Sequence, residues 1–156
     1  MMIEKTILWL LALIGVGLFV FSMRKPPIKE WLLFFLLTGY FSSIIGVIVV
    51  EEGMLTYPVN LFNRHFDSSL TYEYLLFPVL GVYYYQSTFH SGWIGYVVKG
   101  IIYSAIITIT EFFFEKYTDL IHYESWTWFY TFLSTWLLLL IVRIIVKFIP
   151  GMEQKQ

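Results

Sequence analysis

Four side chains with acid–base or metal-binding chemistry lie close to apolar segments of this chain: Glu73, Glu111, Glu115 and His122. Glu111 and Glu115 are four residues apart, so they share one face if this stretch is helical. His122 would share that face if the helix continued. Glu73 and Glu111 lie at a similar depth near the outer ends of their spans. Two such carboxylates can share a proton, bind a cation, or act as an acid and a base. We therefore predict a candidate polar pocket formed by Glu73, Glu111, Glu115 and His122.

The residue types in and near this pocket include ligands that metal ions use in proteins. Carboxylates with histidine can hold Zn²⁺ or Mn²⁺, and Glu51, Glu52, His65 and Asp67 would extend such a pocket. The spacing matches neither H-E-x-x-H nor another hydrolytic motif. The chain has no cysteine, which excludes disulfides, thiolate ligands and cysteine nucleophiles. The sequence therefore assigns no metal, no cofactor and no catalytic residue.

A structural role competes with chemistry for the acids of this region. Glu115, Asp119 and Glu124 fit the end of a membrane span, where Lys116 offsets their charge and the surrounding rings form an interfacial belt. Glu111 is harder to explain in this way because it lies within the apolar run IIYSAIITITEFFF. A carboxylate at such a depth costs a few kcal/mol and usually faces the bundle interior or a water-filled cavity.

The composition indicates an integral membrane protein. Of 156 residues, 58% are hydrophobic and 13% are charged, and the mean hydropathy is +0.71. Soluble domains average nearer half apolar and about a quarter charged. The net charge of −1 argues against a nucleic-acid partner. The lipid bilayer is therefore the first predicted partner of this chain.

Five apolar segments define the predicted spans, and together they form one transmembrane domain over residues 1–156. Helices are expected because each span must satisfy its own backbone hydrogen bonds in lipid, and the alternation typical of barrel strands is missing. The third span is the weakest, since it carries Glu73 and a proline, Pro78, that should kink it. The fold class is therefore all-α, an integral membrane bundle of five transmembrane helices. Its spans cover about residues 6–22, 31–50, 70–86, 93–114 and 126–148.

The basic residues predict the orientation of this bundle, since lysine and arginine of short loops concentrate on the cytoplasmic side. Five spans place two basic groups on one side: Arg24, Lys25 and Lys29 after the first span, and Arg143, Lys147 and Lys155 near the chain's end. We therefore predict the N-terminus outside and the C-terminus in the cytoplasm, with the first span retained rather than cleaved. Lys99 and Arg143 are expected to extend their charges toward the inner membrane surface.

Small residues and one loop complete the organisation. Gly39 with Ser43, and Ser42 with Gly46, are pairs four residues apart, a spacing that lets membrane helices approach closely. They favour a packed bundle, or contact with a second copy or another membrane protein. The loop segment YPVNLFNRHF, residues 57–66, is amphipathic enough to lie on the membrane surface.

Two stretches carry a resemblance to a known family: YPVNLFNRHFDSSLTYEYLLFPVLGVYYYQST, residues 57–88, and EFFFEKYTDLIHYESWTWFYTF, residues 111–132. They resemble an uncharacterised family of small multi-pass membrane proteins of endospore-forming Gram-positive bacteria. The shared features are a Tyr-Pro after the second span, a Phe-Pro kink with a Tyr-Gln-Ser end in the third, and Glu- and Trp-rich residues before the fifth. The resemblance implies a bacterial plasma membrane location and transfers no activity.

These observations lead to three hypotheses for function. The first is an accessory or structural membrane protein that acts through helix–helix or partner contacts, which favours a non-enzymatic role. The second is a small transporter or channel component with an outward-facing acidic pocket. The third is an intramembrane metal-dependent enzyme. The sequence leaves ligand, partner and oligomeric state open.

Overall fold

The computed structural model describes residues 2–61 and 67–151. These residues are mostly helical, which confirms the predicted all-α class, and they include one short strand pair that the sequence does not predict. A π-helical stretch, here called the π segment, covers Tyr72–Leu76 and runs directly into the third α-helix. The helices are α1 (Met2–Ser22), α2 (Ile28–Glu51), α3 (Phe77–Thr88), α4 (Trp93–Tyr117) and α5 (Trp128–Phe148), and the strands are β1 (Leu55–Thr56) and β2 (His122–Tyr123).

Four of these helices, α1, α2, α4 and α5, are long and apolar enough to cross a membrane. They have 21 to 25 residues each, which matches the thickness of a bilayer's hydrocarbon core. The membrane-spanning character predicted from composition is thus supported by regular helices of the required length. The α1–α2 turn contains two prolines, and Pro27 directly precedes α2, where its missing amide hydrogen costs no helical bond.

The bundle core lies among α2, α3, α4 and α5. The most extensive helix contacts join α4 with α5 and α2 with α3. Rings and branched side chains that are almost fully buried fill this space: Phe34, Phe77, Tyr84, Tyr85, Leu139 and Val142. We call these residues the apolar core. Helix α1 lies outside it and packs against the π segment and α3.

Strands β1 and β2 tie two connections together at one end of the bundle. They pair antiparallel, with Leu55 opposite Tyr123 and Thr56 opposite His122. The carbonyl oxygen of Met54 also accepts hydrogen bonds of 3.0 Å from the backbone amides of residues 124, 125 and 126. We call this arrangement the cap, and the bundle end that carries it the capped end. Of the segment predicted to lie on the membrane surface, residues 57–61 are not helical, and residues 62–66 lie outside the described residues.

Candidate functional site

Glu111 lies in the last two turns of α4 and is held by hydroxyl donors from two other elements. Its Oε1 accepts a 2.6 Å hydrogen bond from Tyr123 of the cap and a 2.7 Å bond from Thr131 of α5. The indole nitrogen of Trp126 donates to the Thr131 hydroxyl at 2.8 Å. Because the side chain is only 7% exposed, these donors replace the water that a carboxylate would otherwise bind. The network joins α4, α5 and the cap around one acid.

The Tyr123 phenol is suited to this role because it keeps its proton. Burial, together with the neighbouring Glu111 carboxylate, raises the pKa of Tyr123 far above the physiological range. Tyr57, which directly follows β1, shows the same direction: burial raises its pKa, with contributions from Glu111 and Glu73. Both rings therefore act as neutral hydroxyl groups beside the acids.

Glu73, in the π segment, differs from Glu111 because it lacks well-placed hydrogen-bond donors among the described residues. The side chain is 2% exposed, and neither carboxylate oxygen receives a hydrogen bond of ordinary geometry from the described residues. The Ser68 hydroxyl approaches it without completing such a bond. Space for the carboxylate comes from Gly46 of α2, where an added Cβ atom would lie 1.9 Å from Glu73 Oε1. A glycine therefore opens a niche for a buried acid that lacks a well-placed donor among the described residues.

Glu73 and Glu111 line the same cavity, here called the acidic chamber. Its volume of about 60 Å³ corresponds to roughly two water molecules at the density of liquid water. Hydroxyl groups from α2, the π segment, α5 and the segment after β1 add to its wall, those of Ser42, Tyr57, Tyr72, Thr131, Ser134 and Thr135. The chamber thus combines two carboxylates and several neutral oxygen groups, which can hold water, a proton or a small cation.

The other two predicted site residues lie elsewhere. Glu115 and His122 line an open surface cleft of the capped end, together with Lys116 and Asp119. The helical face of Glu111 does not continue to His122, because α4 ends at Tyr117 and Thr118 is extended. His122 Nε2 instead lies 3.8 Å from an oxygen of the half-exposed Glu124. The structure therefore brings together two of the four predicted residues.

The residues named as possible metal ligands do not assemble either. Glu51, Glu52 and Asp67 are exposed, and His65 falls outside the described residues. Within residues 2–61 and 67–151, histidine, aspartate and glutamate form no group of three or more that could hold a metal ion.

Some residues of the chamber and of the Glu111 network are not predicted by the sequence. Thr131 and Tyr123 lie 20 and 12 residues from Glu111, and neither spacing corresponds to a helical face. The available signal was weak: a threonine in an apolar run is a polar group that needs a partner. Gly46 was recognised as a small residue, but as a helix-contact position and not as the niche of Glu73.

A second polar cluster lies at the end opposite the cap. Arg143 of α5 is fully buried and donates to the Thr88 hydroxyl at 3.1 Å, the Thr88 carbonyl at 3.2 Å and the Tyr96 hydroxyl at 3.1 Å. Its guanidinium lies 4.6 Å from the ring centre of Tyr85 and 4.3 Å from that of Tyr96. The expectation that Arg143 extends to the membrane surface is therefore wrong, because rings and helix-end acceptors hold it inside.

Lys99, the other basic residue within a span, binds groups at the end of α3 and in the α3–α4 turn. Its ammonium donates to the Ser87 carbonyl and, at 3.0 Å, to the Ser91 hydroxyl. Along α5, the buried residues between Thr135 of the acidic chamber and Arg143 are Leu138, Leu139 and Val142. An apolar stretch therefore separates the acidic chamber from the basic cluster on this helix.

Comparison of the chain with protein-family models, curated proteins and solved structures returned no match.

Proposed function

We propose that the chain is a five-span protein of a bacterial plasma membrane, with its N-terminus outside and its C-terminus in the cytoplasm. The pairing of β1 with β2 supports the fifth crossing, because it brings the α2–α3 and α4–α5 connections to the same end of the bundle. The proposal therefore places two crossings between these connections. Helix α4 supplies one, and the continuous helical stretch of residues 70–88 supplies the other. Its length of about 28 Å suits a bilayer core.

We propose further that the protein is an accessory component of membrane transport that binds a small cation in the acidic chamber. Glu73 carries this proposal. An ionised carboxylate that is buried without a donor costs several kcal/mol, so it needs a proton or a cation. Gly46 preserves space beside Glu73, whereas Glu111 already has donors of its own. A cation in the chamber would bind Glu73, neutral hydroxyl oxygens and water.

The alternative is a protein that acts only through helix contacts with a partner, and small residues at close-packed positions would then meet that partner. The small residues that suggested a partner are used inside the chain. An added Cβ atom on Gly39 would meet Pro78 at 3.4 Å, and one on Gly100 would meet Trp136 at 3.0 Å. Gly46 faces Glu73 in the same way. These three positions are explained by contacts among the chain's own helices, without a second protein.

A binding site fits this bundle better than an open pore. Phe77 and Leu138 close the acidic chamber on the side of the apolar core. Beyond them, Leu139 and Val142 are fully buried. A cation that enters the chamber therefore stops there in this conformation. Passage across the membrane would require these apolar side chains to move apart.

Thermal unfolding of the purified protein in detergent tests the cation site. NaCl or KCl should raise the melting temperature above that in choline chloride at equal ionic strength, because a ligand that binds only the folded state stabilises it. The gain is about 2.7 kcal/mol at a concentration 100 times the dissociation constant. Glu73→Gln should remove the difference between the salts. Glu124→Gln, at a half-exposed position, is the matched control and should retain it. An equal effect of choline, or a full sodium effect in Glu73→Gln, would refute the proposal.

A further inference from the structure

A second cavity, larger than the acidic chamber, opens on the side of the bundle between α1 and α4. Its volume is about 280 Å³, and the π segment and α3 form its back wall. We call it the lateral groove. It is open because α1 packs on the π segment and α3, whereas the main contacts of α4 are with α5 and α3. The two helices therefore stand on opposite sides of a gap that faces the lipid.

The lateral groove changes character along its length. Its half farther from the cap is lined by aliphatic side chains, such as Leu18, Leu80 and Ile106. Its half near the cap adds polar groups, namely those of Tyr57, Ser69, Thr71, Tyr72, Thr110 and Glu111, which lie among the apolar side chains of Leu8, Phe114, Leu120 and Ile121. A molecule that fits this gradient has a hydrocarbon part directed toward the membrane centre and a polar part near the capped end. Membrane lipids have this arrangement.

The dimensions also favour a lipid chain. Along α1 the groove extends from Leu8 to Leu18, a rise of about 15 Å, which is close to half of a bilayer's hydrocarbon thickness of about 30 Å. A helix of a partner protein is about 10–12 Å thick with its side chains, too thick for a cavity of this volume. An extended acyl chain is thin enough. We propose that the lateral groove binds the acyl chain of a lipid from the leaflet on the capped side.

The polar end of the groove indicates which headgroup fits. Tyr57, Tyr72 and Glu111 line both the groove and the acidic chamber, so they form a wall between the two. The Tyr72 hydroxyl lies beside the Glu111 carboxylate but completes no hydrogen bond of ordinary geometry with the described residues. An uncharged headgroup with free hydroxyls can exchange hydrogen bonds with Tyr72 and donate to Glu111. A phosphate headgroup would place negative charge beside that carboxylate. The class that fits is therefore a neutral, hydroxyl-bearing lipid such as a monoacylglycerol.

Photocrosslinking tests the chain position. The probe is a monoacylglycerol with a diazirine in its acyl chain, added to the protein in detergent, and labelled peptides are identified by mass spectrometry. Labelling should concentrate on α1 and α4 residues of the groove and should decrease when unlabelled monoacylglycerol is added. Ile106→Trp, which fills the groove, should reduce this competable labelling at least fivefold. Ile109→Trp is the matched control, because Ile109 is exposed on the same helix and does not line the groove.

Either of two results would overturn the chain assignment. Labelling that unlabelled lipid does not compete, spread equally over exposed α5 positions such as Ile141, would identify non-specific lipid contact only. Competable labelling that is equal in Ile106→Trp and the wild type would place the probe outside the groove. Neither result depends on Glu73, so this test and the cation test can fail independently.

The headgroup assignment has its own test. Tyr72→Phe removes a hydroxyl that lies beside Glu111 without a hydrogen bond of ordinary geometry to the described residues. Glu111 keeps its hydrogen bonds from Tyr123 and Thr131, so the fold should tolerate the change. It should weaken monoacylglycerol binding about fivefold, as expected for one hydrogen bond, and leave binding of a lysophospholipid with the same chain unchanged. Stronger wild-type binding of the lysophospholipid, or equal monoacylglycerol binding in Tyr72→Phe, would contradict a neutral hydroxyl headgroup.

Discussion

Arg143 shows how a single residue can join three helices at the end opposite the cap. It lies on α5, binds the hydroxyl and the carbonyl of Thr88 at the end of α3, and stacks against Tyr96 of α4. A cation near the carbonyl end of a helix also interacts favourably with the helix dipole. The planar guanidinium makes these contacts at once, which an ammonium group cannot do. Arginine is thus specifically required here, beyond its positive charge.

We therefore expect Arg143→Lys to lower the free energy of unfolding by about 1–3 kcal/mol, because the charge remains while the planar stacking and at least one hydrogen bond are lost. Thermal unfolding in detergent measures the change. Lys147→Arg is the control on the same helix: Lys147 lies 4.4 Å from the ring centre of Trp93, near the helix end, and tolerates either cation. If Arg143→Lys were as stable as the wild type, charge alone would matter at this position.

At the scale of the elements, the acidic chamber depends on how the π segment and α3 pack against α2. The π segment ends at Leu76, two residues before Pro78, which has no amide hydrogen for the carbonyl four positions earlier. In the π segment the Phe77 amide bonds to the Tyr72 carbonyl, five residues back. This wider turn changes the phase of the helix and presents Glu73 to α2. On α2, the glycine at position 46 accepts the carboxylate. π-helical turns are frequent at functional sites.

Gly46→Ala tests this fit of the elements. The new Cβ would overlap the end of a flexible side chain, so Glu73 should rotate away while the helices stay in place. We expect unfolding stability to change by less than about 1 kcal/mol, because alanine also favours the helix. The apparent affinity for sodium or potassium, measured from this thermal stabilisation, should fall at least tenfold. Gly17→Ala of α1, where an added Cβ meets nothing within 4 Å, should retain it. If Gly46→Ala responded to the cation as the wild type does, the assignment of Glu73 as the cation's ligand would be wrong.

At the scale of the whole molecule, the cap determines which loops share a side of the membrane. The β1–β2 pair and the Met54 carbonyl connect two loops that are far apart in sequence. The acidic chamber and the polar end of the lateral groove both lie beneath this cap. If the capped end faces outward, as the distribution of lysine and arginine predicts, both sites open to the exterior half of the membrane.

The absence of cysteine makes this orientation testable with single substitutions. Glu124→Cys in the cap and Lys25→Cys in the α1–α2 turn are both at exposed positions. In intact cells, a membrane-impermeant maleimide should label Glu124→Cys and leave Lys25→Cys unlabelled, with both reactive after the cells are broken. The reverse pattern would invert the orientation, and labelling of both in intact cells would contradict the proposed arrangement of the spans.

The sequence by itself determined the class of this protein, for a simple reason. Apolar runs of bilayer length can satisfy their backbone only as helices in lipid, so composition and length predict an all-α membrane protein. The depth of Glu111 in such a run also marked it as a residue that must face the protein interior or water. Both inferences rest on local properties of the chain, which a sequence contains in full.

Only the tertiary structure decided which side chains meet. Periodicity defines the faces of one helix and does not state which face of another helix it touches. The chamber therefore required packing to bring Glu73, Gly46 and Glu111 together, and an early end of α4 to separate His122 from them. The burial of Arg143 also depends on packing between helices, since the rings that hold it lie on two other helices. Contacts between helices depend on distant residues, and for that reason no local spacing predicted them.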